Sequence, residues 1–172
     1  MRTSFHLPVI ALAALMASSL AQAQATAQPN PAAAMLPVGY GAPISLASAK
    51  KITAAAMAEA DRIGVPMVVA ITDPAGSLVY LEKHDIAISG GVAIAPAKAK
   101  AAAIFKRPTK AFEDAIAAGG AGNRMLGLPG VVPVEGGLPI VVDGKLVGAI
   151  GVSGGTGVQD GIVGKVGLEA LK

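Results

Sequence analysis

Sixteen of the 22 glycines in this 172-residue chain fall between Gly119 and Gly167. Glycine has no Cβ, so a segment this rich in it lets two backbones approach closely and enter left-handed turns, at an entropic cost in regular structure. Two strand patterns run through it, Leu138 to Val142 and Lys145 to Val152, joined by Asp143-Gly144, a strong two-residue hairpin signal. A shorter strand is expected around Val131 to Val134. From the end of the second strand into the next helix runs Gly151-Val152-Ser153-Gly154-Gly155-Thr156-Gly157, and Thr156 with Gln159 forms a capping box for a last helix ending near Leu171. N–H groups at such a strand-to-helix turn suit an anion, or the turn is purely structural. It lacks the Gly-Lys-Ser/Thr ending of a nucleotide loop.

The first half carries ordinary periodicities. Leu46, Ala49, Ile52, Ala56, Met57, Ala60 and Ile63 recur at three- and four-residue steps, an amphipathic helix capped by Ser45 and stopped by Gly64 before Pro66. The apolar runs Met67 to Thr72 and Leu78 to Glu82 flank Asp73-Pro74-Ala75-Gly76, which sets up a tight hairpin turn. An Ala-rich helix follows from about Ala93 to Phe105, with Pro96 in its first turn, and Thr109 caps a shorter one through Ala118. Hairpin-joined strands among helices predict a single α+β domain: a central antiparallel sheet of four or five strands with flanking helices.

Arg2, the apolar run Leu7 to Leu20 and the small residues of Ala21-Gln22-Ala23-Gln24-Ala25 make the three parts of a secretory signal. About 14 apolar residues reach only ~21 Å, short of a ~30 Å hydrocarbon core, so no stable membrane span is expected. Residues 1–25 read as a signal peptide, 26–44 as a Pro/Ala-rich linker and 45–172 as the folded domain, placing the mature protein in the periplasm or outside the cell. Cysteine is absent, so the exported domain must be held by its core alone, which a domain of this length can supply. Removing the signal leaves 13 basic against 11 acidic residues and four aromatics, too weak a footprint for nucleic acid.

The same removal takes His6 and leaves His84, just past a strand, as the one imidazole. It is either a metal or haem ligand or proton relay, or a loop histidine bonded to its neighbours. A Cys nucleophile and a multi-histidine metal site within one chain are excluded, and Asp85, adjacent on a strand, points away from the ring. Lys98, Lys100, Lys106, Arg107 and Lys110 form a basic cluster that is either a solvated face or an attractor for an anionic cofactor or acidic lipid headgroups. Phe105 and Phe112 serve the core or line a cofactor.

The segment from Pro133 to Asp160, with Val134-Glu135-Gly136-Gly137-Leu138-Pro139-Ile140 and Asp143-Gly144-Lys145-Leu146-Val147-Gly148 ahead of the glycine turn, closely resembles the GlcG/HbpS-like family, the haem-degrading or DUF336 domain also found at the C-terminus of PduO-type proteins. Asp73-Pro74-Ala75-Gly76, the helix through Lys98 and Lys100, and Phe105-Lys106-Arg107-Pro108-Thr109 extend the resemblance over about Ser45 to Lys172. It implies an α+β fold, assembly into homo-oligomers and, in some members, haem binding linked to degradation or redox sensing. After the second strand this chain departs from the family's Arg-x-Asp-Gly-Ala type segment and has Lys83-His84-Asp85-Ile86-Ala87. The resulting expectation is an exported haem-binding protein with His84 as axial metal ligand, Lys106 and Arg107 on the propionates, and Phe105 and Thr109 at the cofactor. The alternative is a non-catalytic binding or assembly module for another small molecule, such as a corrinoid or a small organic acid.

Overall fold

The computed structural model describes residues 37–171. The expected signal peptide and most of the 26–44 segment lie outside the described residues. The elements, in order, are β1 (Gly39–Tyr40), α1 (Leu46–Arg62), β2 (Val68–Thr72), β3 (Leu78–Lys83), α2 (Gly91–Ile104), α3 (Lys110–Ala117), a 3-10 helix (Gly120–Gly127), β4 (Gly137–Val142), β5 (Lys145–Ser153) and α4 (Gly157–Glu169).

β5 organises the sheet. It pairs antiparallel with β4 on one edge and with β2 on the other, and β2 pairs antiparallel with β3. β1 runs parallel to β5 at Lys145 and Leu146, on the edge that β2 uses farther along, because β4 fills the opposite edge there. The sheet is therefore mixed, a correction to the antiparallel expectation. Two residues of β1 are too few to show a period. Gly41 N donates to Leu146 O at 2.8 Å and Ile44 N to Val147 O at 2.8 Å, so the folded unit starts before Ser45.

Strand alternation sends Met67, Val69, Ile71, Ile150 and Val152 to one face, where they pack with Ile52, Ala56, Met57, Ala60 and Val163 of α1 and α4. The opposite face presents Val68, Ala70, Ala149 and Gly151 to α2, whose contacting residues are alanines. Here the glycines and the Ala-rich helix explain one another. A Cβ on Gly151 would lie 2.0 Å from Ala95 O, and one on Gly137 would lie 2.4 Å from Lys98 O. Helix backbone thus rests on strand backbone.

Local chemistry sets the ends. Ser45 Oγ accepts from Ser48 N at 3.1 Å, and the Thr156–Gln159 capping box is complete. Asp73 Oδ1 accepts from Ala75 N and Ser77 N in the β2–β3 turn, and Asp143 and Gly144 take φ of 49° and 69° in the β4–β5 turn. Three expectations change. Pro96 is the sixth residue of α2 rather than part of its first turn. Residues 131–134 form no strand. Thr109 precedes α3 without a side-chain cap, because its hydroxyl is committed elsewhere.

Candidate functional site

Of the five residues singled out in the sequence, His84 and Phe105 fall at two ends of the sheet, and Thr109 lies on the outer edge of β4 at Gly137, level with Gly151. Gly91, opening α2, sits against Val68 and Ser153, whereas Gly76 of the β2–β3 turn sits against Lys100 and Ile104 near its close. His84 follows Lys83, the partner of Val68, and so belongs to the first end, while Phe105 closes α2 at the second. Fourteen helical residues at ~1.5 Å each put about 20 Å between them.

His84 is half-buried. Its Nδ1 accepts the Met67 N–H at 3.0 Å, and its own N–H donates to Met67 O at 3.0 Å. The imidazole thus replaces the carbonyl that would have completed this strand pair. A backbone donor facing Nδ1 makes that nitrogen the bare one, so the neutral ring carries its proton on Nε2, 3.3 Å from Asp61 Oδ1. With Asp61, Val65, Pro66, Asp85 and Ile86 it lines an open cavity of about 330 Å³. Ligation through Nε2 requires moving the proton to Nδ1, where it would oppose the Met67 N–H. Among the described residues no three His, Cys, Asp or Glu are placed to hold a metal ion.

At the other end Phe105 and Phe112 meet edge to face, centroids 5.3 Å apart. The Arg107 guanidinium carbon lies 5.6 Å from the Phe112 centroid. Lys106, at φ 50°, places Nζ 4.0 Å from the Tyr40 centroid and donates to Val38 O at 2.8 Å. A Cβ on Gly130 would stand 3.3 Å from Ile104 and 3.9 Å from Phe105, so the loop after the 3-10 helix lies over these residues. That loop and helix expose Leu126, Leu128 and Val134. An adjoining hollow of about 280 Å³ is lined by Tyr40, Pro74, Ala75 and Ile104. Phe112 is buried, so the region presents half-buried Phe105 and the aliphatic loop at its surface, with two cations beside them.

Thr109 is fully buried beneath this surface. Its Oγ1 donates to Val134 O at 2.6 Å and accepts from Gly137 N at 2.9 Å, while its N–H donates to Gly137 O at 3.0 Å. The side chain ties the loop to the outer edge of β4. Tyr80 donates its hydroxyl to Glu82 at 3.0 Å, which holds its oxygen at the β3 surface.

The basic cluster is divided by the fold. Lys98 is 1% exposed, and its Nζ donates to Asp160 Oδ2 at 2.7 Å, Glu135 O at 2.7 Å and Val152 O at 3.1 Å. Asp160 Oδ1 accepts from Gly155 N at 3.0 Å. Burial pushes the Asp160 carboxyl above its ordinary value, against the pull of the Lys98 ammonium. Sequence reasoning missed this pair, whose members are 62 residues apart. A signal was present, since Ala95, Lys98, Ala99 and Ala102 follow one helical face.

A family profile described as "Haem degrading protein HbpS-like" matches residues 44–169. An uncharacterised 15.0 kDa protein of Citrobacter freundii, from the dhaT-dhaS intergenic region, is 35% identical over 132 residues, 76% of this chain and 93% of that protein. The crystal structure of Klebsiella pneumoniae ORFY, of the DUF336 family, superposes with a TM-score of 0.72 at 27% identity, over 80% of this chain and 96% of that one. The crystal structure of a PduOC:haem complex superposes with a TM-score of 0.68 at 30% identity, over 74% and 94%. Sheet, helices and profile agree along nearly the whole described chain, and it belongs to the HbpS-like family.

Proposed function

We propose that this protein binds haem outside the cytoplasm, on the surface at the C-terminal end of α2. The observation that carries the reading is the juxtaposition there of the Phe105–Phe112 pair and the aliphatic loop with Lys106 and Arg107. An apolar macrocycle with two carboxylates on one edge needs those two kinds of contact. Phe105, Leu126 and Leu128 would cover the ring, Lys106 and Arg107 would pair with the propionates, and Thr109 would hold the wall in place. Bound haem supplies iron-centred redox and oxygen chemistry. The likeness to a PduOC:haem complex supports the ligand class.

Titrating haemin into mature protein tests this. A sharp, saturable Soret change at one haem per chain or per dimer is expected, and Phe105→Ala and Arg107→Ala should each weaken binding roughly tenfold, about 1.4 kcal/mol. A broad, unsaturable change overturns the proposal. Storage or sensing needs binding alone, whereas degradation requires the Soret band to be lost with release of iron when the complex is given a reductant and air.

A second reading places the iron at His84, favoured by the cavity that the imidazole lines. His84→Ala separates the two. An unchanged Soret band and affinity assign the site to α2, and loss of both assigns it to His84.

A further inference from the structure

β1 buries neither of its two residues, so it adds nothing to the core. It is nevertheless held firmly. Gly39 and Tyr40 pair with Lys145 and Leu146, Gly41 N donates to Leu146 O at 2.8 Å, and a Cβ on Gly41 would stand 3.0 Å from Lys145 Cβ. What this anchoring fixes is one side chain. Tyr40 is 53% exposed, and the Lys106 ammonium, itself bonded to Val38 O, lies 4.0 Å from its ring centroid. Tyr40 shares its hollow with Ile104, and Ile104 and Phe105 both lie against Gly130. The phenol therefore adjoins the surface that carries Phe105, Lys106 and Arg107.

Among the described residues the Tyr40 hydroxyl has no hydrogen-bond partner. The other groups that could donate to iron are committed. Thr109 is fully buried, and its hydroxyl gives its proton to Val134 O and accepts from Gly137 N. The Asp73 and Glu113 carboxylates each hold backbone N–H groups, and Tyr80 spends its hydroxyl on Glu82. His84 stands at the other end of the sheet with Nδ1 facing a backbone donor. Lys106 and Arg107 are cations and offer no lone pair. Met125 has a thioether, a soft donor poorly matched to ferric iron.

We propose that Tyr40 is the protein ligand to the iron of haem bound at this surface, an inference that rests on the haem reading. A phenolate is a hard anionic donor of the kind that ferric haem accepts. As the iron–oxygen bond forms, the phenol O–H bond breaks and its proton passes to solvent. The oxygen then carries negative charge, which the ammonium over the ring offsets. An ammonium has three donors and Val38 O takes one, so Lys106 keeps another for a propionate. Because the anionic oxygen neutralises more charge on ferric than on ferrous iron, it also favours the oxidised state.

The chain has two tyrosines, which makes the test direct. Haemin is titrated into unmodified mature protein, Tyr40→Phe and Tyr80→Phe, and each ferric complex is read by resonance Raman for tyrosinate ring modes enhanced through iron–oxygen charge transfer. The modes should appear in the unmodified and Tyr80→Phe complexes and be lost in Tyr40→Phe, whose haem should reduce at a higher potential. Phenylalanine keeps the ring beneath Lys106, so Tyr40→Phe should give an unchanged circular dichroism spectrum. If Tyr40→Phe alone also loses saturable binding, the assignment is the same. Tyrosinate modes that persist in Tyr40→Phe, that vanish in Tyr80→Phe or that are missing from the unmodified complex overturn it, while a saturable Soret change leaves the haem reading standing. A broad, unsaturable change in unmodified protein overturns both.

Discussion

Lys98 and Asp160 join the two helical layers around the end of β5, and every donor of the ammonium is used. A buried pair of this sort contributes little net stability relative to apolar replacements, yet removing one partner strands the other. Asp160→Asn should therefore cost about 3–5 kcal/mol, and the double replacement Lys98→Met with Asp160→Leu should cost less than either single change, read from urea midpoints. In Lys98→Met the ammonium no longer opposes burial and only the backbone N–H groups of Gly154 and Gly155 still do, so the folded Asp160 carboxyl stands further above the ordinary 3.8. A raised folded value means the stability is complete below the unfolded value and lost as pH rises through the folded one. The deficit of Lys98→Met should thus grow from acid toward neutral pH, and a deficit that does not change would contradict the assignment. Lys98 reads in the sequence as one of several surface cations because its partner comes from a distant helix. His84 was legible as the one imidazole outside the expected signal peptide, but not as an acceptor for Met67 N–H, since that bond depends on strand register.

At the level of elements, α2 on the sheet is the contact that accounts for the glycines. The Cβ of Gly151→Ala would meet Ala95 O and Ala99 N, both backbone atoms of a helix, so relief requires α2 to lift along its length. A loss of about 3 kcal/mol or more is expected, measured by thermal or urea unfolding. Gly39→Ala, with nothing within 4 Å of its added carbon, should be near neutral. Equal effects at the two positions would argue against the close approach. Helices and hairpins were readable from period and turn chemistry, as in Ser45, Asp73 to Gly76, Asp143-Gly144 and Thr156. β1 was not, because its partner supplies all of its hydrogen bonding.

For the whole molecule, export is the expectation that the N-terminal residues carry. Protein recovered from the periplasm or medium should begin at Gln24 or Thr26, the two positions that follow a small-x-small sequence after the apolar run. N-terminal sequencing decides between them, and an intact Met1 on exported protein would overturn the reading. By itself the sequence determined the α+β class, the order of the main helices and strands, and the family, because propensity, capping and turn signals act over a few residues. Tertiary structure alone decided the parallel β1, the burial of Lys98, and the separation of His84 from Phe105 to Thr109. Each of these depends on groups brought together from far along the chain, where local pattern carries no information about which backbone or side chain will arrive.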